Sequence, residues 1–234
     1  MFCIKIAGIP IGIDNRESYI ARLCDGYEIE GETPDFTVHA TEQEVRDAWE
    51  HNCRFSYGYL ESLCLYRKIC LQLARYQAFL MHAAVVAVDG KAYVFTAPSG
   101  TGKTTHIRLW LEQFGSQAEV VNGDKPVFRF VGGRLYACGT PWRGKEGMGG
   151  NIMRPVRAVC FLEQSPANSI RPLTREEVCR RIFHQLLMPE DQQELDRLWP
   201  LLERLLADTA FYLLQCNREP EAAQLAYQTM RRKK

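Results

Sequence analysis

Ala97-Pro98-Ser99-Gly100-Thr101-Gly102-Lys103-Thr104-Thr105 stands between the apolar run Lys91–Thr96 and a helix-like stretch reaching about Phe114. A strand, a glycine-bearing turn and a helix start, in that order, let backbone N–H groups converge on phosphate oxygens. The glycines remove Cβ obstruction. Lys103 brings a mobile positive charge for β and γ phosphates, and the Thr104 hydroxyl can ligate Mg²⁺. The helix opening near Lys103 adds its positive dipole end. Ser99, Gly100, Thr101, Gly102, Lys103, Thr104 and Thr105 are therefore the candidate phosphate-binding residues. Loops of this kind usually begin with glycine, whereas Ala97 stands here; Pro98 biases it towards extended backbone, which alanine tolerates.

Upstream, Phe79 to Val88 is apolar and β-branched, and Asp89-Gly90 links it to Lys91–Thr96. Asp-Gly between two such runs predicts a type I′ hairpin, since both central residues need positive φ. The loop is thus entered from an antiparallel hairpin, with Phe79–Val88 expected to pair along Lys91–Thr96. Downstream, Glu119–Val121 reads as a strand ending at Asn122-Gly123-Asp124. Lys125–Val131 and Arg134–Cys138 flank Gly132-Gly133 as a second hairpin. The glycine-rich stretch from Gly139 to Asn151 carries Trp142, Arg143 and Lys145 and precedes a strand at Val156–Leu162. Its cations suit a transferring phosphate, either on a mobile lid or on a solvated loop. Trp142 is read as a lid anchor or a stacking surface, and His106 as an exposed helix residue.

The combination of S-G-T-G-K-T-T with an antiparallel hairpin resembles the HPr kinase/phosphorylase and ATP-type phosphoenolpyruvate carboxykinase superfamily. The resemblance is strongest to the HPr-kinase-related proteins of bacteria. It is carried by Met81-His82-Ala83-Ala84, Ala97–His106, Asn122-Gly123-Asp124-Lys125-Pro126 and Gly139-Thr140-Pro141-Trp142-Arg143-Gly144-Lys145, and spans about Phe79 to Gln164. It implies an α/β fold: a mixed sheet of the HPr kinase/phosphoenolpyruvate carboxykinase type, a P-loop entered from an antiparallel hairpin, and a helical C-terminal part. It also implies a histidine on the strand before the loop, matched by His82, and an acidic pair after the next strand. The second acid is matched by Asp124, whereas Gly123 stands where the first would be. By that resemblance Asp124, His82, Lys103, Arg143 and Lys145 are catalytic, and Thr104 and Asp124 hold the metal. The expected cofactors are ATP and Mg²⁺. The expected reaction is γ-phosphoryl transfer to a hydroxyl, first a serine of a protein or peptide, then a small molecule. Gly123 and Ala97 motivate a different class, a nucleotide-binding sensor or maturation partner without turnover. Related kinases assemble, so a homo-oligomer is among the expected states.

Outside this centre the sequence carries structure rather than chemistry. Residues 1–78 read as an N-terminal α+β subdomain and residues 79–234 as the nucleotide-binding domain. Phe2–Ile13 suits a strand or hairpin, Asp14–Cys24 a short helix and Asp35–His39 an edge strand. Thr41-Glu42-Gln43-Glu44 has capping-box spacing, and Tyr59–Tyr76 is helical. Thr174-Arg175-Glu176-Glu177 caps a helix expected to carry Val178, Ile182, Leu186 and Leu187. Asp191–Asp208 forms a leucine stripe in which Pro200 should kink the helix or start a second one. Phe211–Gln215 reads as a strand and Glu219–Met230 as a closing helix.

The chain has 234 residues, with 29 Lys and Arg against 28 Asp and Glu, a net charge of +1. Such a balance argues against an electrostatic nucleic-acid binder. The nine cysteines include no C-x-x-C pair, which points to reduced, packed thiols in a cytoplasmic protein. Met1–Lys5 does not read as a signal peptide, and no apolar run reaches membrane-span length. Arg231-Arg232-Lys233-Lys234 reads as a solvated end, and His39, His51 and His184 have no partner at metal-ligand spacing.

Overall fold

Two sheets organise the computed structural model, which describes residues 1–232; Lys233 and Lys234 of the cationic end lie outside it. The first sheet begins as a hairpin of β1 (Phe2–Ile6) and β2 (Ile9–Asp14), turned by Ala7 and Gly8 at positive φ. Helix α1 (Ser18–Leu23), β3 (Glu28–Ile29), β4 (Phe36–His39), α2 (Glu42–His51) and α3 (Tyr57–Gln72) follow. The strand order is β3-β1-β2-β4, with β4 a parallel edge as Asp35–His39 suggested. Thr41 and Glu44 close the capping box of α2. The inner face, with Ile4, Ile6, Ile9, Ile11 and Ile13, packs on Leu60, Leu65 and Ile69 of α3. That core also takes in Ala78, Val127 and Cys138 from the second sheet and Trp142 from the loop that follows β10.

The second sheet contains β5 (Ala78–Leu80), β6 (Ala84–Val88), β7 (Lys91–Thr96), β8 (Ala118–Asn122), β9 (Val127–Val131), β10 (Arg134–Cys138) and β11 (Met153–Gln164), with α4 (Lys103–Phe114) between β7 and β8. Next come β12 (Ser169–Pro172), α5 (Arg175–Ile182), α6 (Gln192–Asp208), β13 (Phe211–Cys216) and α7 (Glu221–Met230). The order is β5-β9-β10-β11-β7-β6-β8; off this path β13 pairs with the C-terminal half of the long β11, and β12 pairs with β13. Strands β7, β11 and β13 are mutually parallel and the other pairings in this sheet are antiparallel. The architecture is mixed α/β with mixed sheets.

Strands β6 and β7 are covered on both faces, which is why they read as unbroken apolar runs. Val85, Ala87, Ala92 and Val94 face the core shared with α5 and α6, whereas Ala84, Val86, Tyr93 and Phe95 face α4 and α7. The β6–β7 hairpin turns at Asp89 (φ 52°) and Gly90 (φ 66°), the geometry a type I′ turn requires.

Three expectations are corrected. Phe79–Val88 is not one strand: β5 pairs with β9, and only β6 pairs with β7. Between them Met81 bridges to Leu186, the His82 amide donates to the Gln185 carbonyl, and the Ala83 amide donates to the Asp124 carbonyl. The chain thus changes partners at Met81–Ala83. The Thr174 capping box forms, but α5 stops at Ile182 and Leu186 belongs to that bridge. Pro200 does not start a second helix: α6 continues through it as one element, carried by a leucine stripe buried against the core. Burial at roughly 1.5–3 kcal/mol per such side chain offsets the lost backbone hydrogen bond.

Candidate active site

The segment after β7 folds as a loop because of its glycines. Gly100 lies at φ 82° and Gly102 at φ 115°, with open space where a Cβ would stand. Gly102 caps α4, and the His106 amide closes the first turn on the Gly102 carbonyl. The amides of Lys103, Thr104 and Thr105 thus have no earlier helical carbonyl to bond. Lys103 is buried, and its Nζ donates to the Ala97 carbonyl at 2.8 Å. Burial lowers the pKa of this ammonium, while Asp124 acts in the opposite sense. Ala97 needs no glycine: it is absent from the left-handed region, and its methyl is buried in the core with Phe95 and Ile107.

His106 is not the exposed residue its position suggested. It is 2% exposed, and its Nε2 accepts from Trp110 Nε1 at 3.0 Å. An indole can only donate, so this imidazole is neutral with its proton on Nδ1. Burial holds its pKa down at about 3. It secures the start of α4 from behind.

Asp124 follows β8 in a turn fixed by Asn122. The buried Asn122 Oδ1 accepts from the amides of Asp124 and Lys125, both at 2.8 Å. Its Nδ2 donates to the Thr140 carbonyl and hydroxyl. The hydroxyls of Thr140 and Tyr66 both donate to the Lys125 carbonyl, at 2.8 and 2.7 Å. A fully satisfied buried amide of this kind makes a turn rigid. The Asp124 carboxylate meets His82 Nε2 at 3.1 Å through Oδ1 and Lys125 Nζ at 2.5 Å through Oδ2. Burial alone would push this carboxyl up; the His82 hydrogen bond and the Lys125 charge outweigh it and hold it at about 2. His82 lies not on a strand but in the link between β5 and β6, and Thr96 Oγ1 donates to its carbonyl.

The glycine-rich stretch packs onto this turn. The Gly123 amide donates to the Met148 carbonyl, and the Gly150 amide to the Val121 carbonyl. Gly144 lies at φ 73°, and a Cβ there would stand 2.9 Å from Asp124 Cβ. Arg143 Nη1 donates to the Gly149 carbonyl at 3.0 Å, so the guanidinium is tied into its own loop. Lys145 is exposed, and Glu146 pairs with Arg108 of α4. Trp142 is buried and stacked on Tyr66 of α3, with centroids 4.1 Å apart and planes 18° from parallel.

One cleft of about 910 Å³ gathers these parts. Ser99, Gly100, Gly102, Lys103, Thr104, Thr105, His82, Asp124, Arg143 and Lys145 all line it. Thr101 does not; it lines a neighbouring depression with Arg180, Arg181 and Gln185. Asn122, Lys125 and Thr140 stand in the quoted motifs without a role of their own, and Tyr66 lies outside them. Asn122 had a readable signal, an Asn two residues before the amide it caps, whereas Tyr66 is reached only through tertiary packing. Among the described residues no three His, Cys, Asp or Glu side chains form a metal-ligand group. One ionised carboxylate and one hydroxyl, Asp124 and Thr104, is a donor set that suits Mg²⁺ carried in on phosphate oxygens.

Comparison with known proteins gives a family and a number of similar solved structures. The family model of SynChlorMet cassette protein ScmC matches residues 59–185, from α3 past the glycine-rich stretch. The structure of the Hpr(Ser) kinase/phosphatase from Coxiella burnetii is similar at 12% identity and a TM-score of 0.37, covering 64% of this chain and 95% of that one. No curated protein matches. No helix among the described residues is long and apolar enough to cross a membrane.

Proposed function

The chain belongs to the family of SynChlorMet cassette protein ScmC, and from that premise we propose that it is an ATP-dependent phosphotransferase acting on a hydroxyl, foremost a serine of a protein or peptide. One observation carries the reading: the ionised Asp124 carboxylate, flanked by His82 and Lys125, shares a cleft with Lys103 and the start of α4. In this reading Lys103 leaves the Ala97 carbonyl for β and γ oxygens, and the unbonded amides of α4 take the remaining charge. The nucleoside end lies towards the carboxyl ends of the parallel strands β7, β11 and β13. A groove there is lined by Thr105, Leu109, Gln164, Asn217 and Arg218.

Mg²⁺, when held by Asp124, Thr104 and the phosphates, supplies charge neutralisation. The acceptor oxygen bonds to the γ phosphorus, the bond from that phosphorus to the β-bridging oxygen breaks, and its electron pair leaves with ADP. The hydroxyl proton passes to Asp124. A carboxylate with a pKa near 2 is a weak base, but a loose transition state asks mainly for positioning and charge. Arg143 and Lys145 add positive charge at the mouth of the cleft.

Calorimetric titration with Mg-ATP tests the binding half. Lys103→Ala removes a charge-assisted contact worth ~1.5–3 kcal/mol, so affinity should fall roughly ten- to hundredfold. Unchanged affinity would take the loop out of nucleotide binding. Gly123 favours a second reading, a nucleotide-binding sensor, because the site has one acid where the resemblance implies two. Tight Mg-ATP binding with no transfer to peptide or small-molecule hydroxyls would select it.

A further inference from the structure

The catalytic cleft has a second pole that the phosphate chemistry does not use. Besides the charged groups it is lined by Tyr19 and Leu23 of α1, by Phe55, and by Tyr59 and Leu63 of α3. All five are half-buried, so their outer surfaces are open to the cleft. Tyr19 and Tyr59 meet edge to face at 6.0 Å, and Phe55 lies 5.0 Å from Tyr59.

This shelf is built rather than incidental. Gly58 lets α1 approach α3 closely, since a Cβ there would stand 2.7 Å from Tyr19 Cβ. The buried Glu61 carboxylate accepts the amides of Arg16 and Glu17, at 2.7 and 3.0 Å, and so anchors the residues that lead into α1. From the same helix, Tyr66 holds Trp142 and the Lys125 carbonyl. Helix α3 thereby fixes shelf and Asp124 turn to one support.

We infer that the shelf binds the acceptor, a peptide whose serine or threonine is flanked by a bulky apolar or aromatic side chain. The inference rests on the phosphotransfer reading. In that reading the nucleoside lies towards the strand ends, where the lining residues Thr105, Leu109, Gln164, Asn217 and Arg218 are distinct from those of the shelf. A small polar acceptor has no use for five apolar side chains. Asp124 and the shelf line one cleft, so a hydroxyl at Asp124 and an apolar side chain on the shelf can belong to one peptide segment, with alternate side chains giving specificity.

The test uses the full chain, γ-labelled Mg-ATP and short synthetic peptides with a single serine, flanked in turn by Phe, Leu, Ala, Asp or Lys. Phe- or Leu-flanked peptides should be labelled about tenfold or more faster than Ala- or Asp-flanked ones, the discrimination an apolar pocket commonly gives. Tyr59→Ala should flatten that preference with Mg-ATP affinity retained. Equal rates across the series, or a preference for charged flanks, overturns the inference and leaves phosphotransfer standing. Loss of Mg-ATP affinity in Tyr59→Ala puts the nucleobase on the shelf and also overturns it. No labelling of any peptide by protein that binds Mg-ATP removes the phosphotransfer reading and the inference together.

Discussion

The Gly123 amide donates to the Met148 carbonyl at 2.9 Å, and a Cβ at position 123 would stand 3.2 Å from the Arg143 carbonyl oxygen and 3.3 Å from that of Met148. A side chain at this position would press on two carbonyl oxygens of the glycine-rich stretch, which would have to give by a few tenths of an ångström to admit it. A single carboxylate at this turn and a docked 143–148 loop are one feature of the molecule.

Gly123→Asp should accordingly cost stability rather than add a metal ligand. Crowding against two carbonyl oxygens places it in the usual range for a disruptive substitution, about 0.5–3 kcal/mol. Thermal unfolding should show a lower Tm, by ~2–4 °C per kcal/mol, with no gain in Mg-ATP affinity. An unchanged Tm would mean that the loop is not docked in solution.

Asn122→Ala tests the support beneath Asp124. It strips the acceptor from two amides and the donor from Thr140 in a buried setting, each such loss costing about 1–3 kcal/mol. Denaturant unfolding should report a marked loss of stability. In the folded fraction phosphotransfer should fall further than Mg-ATP affinity, because the loop is anchored separately by α4. Equal losses in both would mean that Asn122 does not act through the Asp124 turn.

What the sequence disclosed was local. Asp89-Gly90, the glycines of the loop, and the capping boxes at Thr41 and Thr174 act over a few residues, and each appears in the structure. The break at Met81–Ala83 is hidden because β5, the link and β6 are nearly all apolar, and nothing local marks where a buried run changes strand partners within one sheet. His106 was misjudged because its burial depends on Trp110, one turn along α4, and on Phe95 from the sheet. The Tyr66–Trp142 stack and the aromatic shelf join segments far apart in the chain, and pattern reading has no purchase on such contacts.

The Asp124 carboxyl titrates near 2 when folded against an ordinary value of 3.8. A depressed folded pKa means that its contribution to stability is complete above the unfolded value and is lost as pH falls through the folded one. Asp124→Asn should therefore be less stable than the parent near neutral pH, with the gap closing between roughly pH 4 and pH 2. Urea unfolding across that range measures it. A gap that stays constant down to the acid end would show that the His82 and Lys125 contacts do not hold the carboxylate.

The central claim is that Asp124 acts on the acceptor while the loop carries most of the binding of the nucleotide's phosphates. It is tested most directly by γ-phosphoryl transfer from labelled Mg-ATP to the serine peptides, in the parent protein and in Asp124→Asn. The substitution keeps the shape of the side chain and removes its charge and basicity. The account predicts that kcat falls by ~10²-fold or more, the range for a positioned base, while Mg-ATP still binds. Transfer by Asp124→Asn at the parent rate would contradict it.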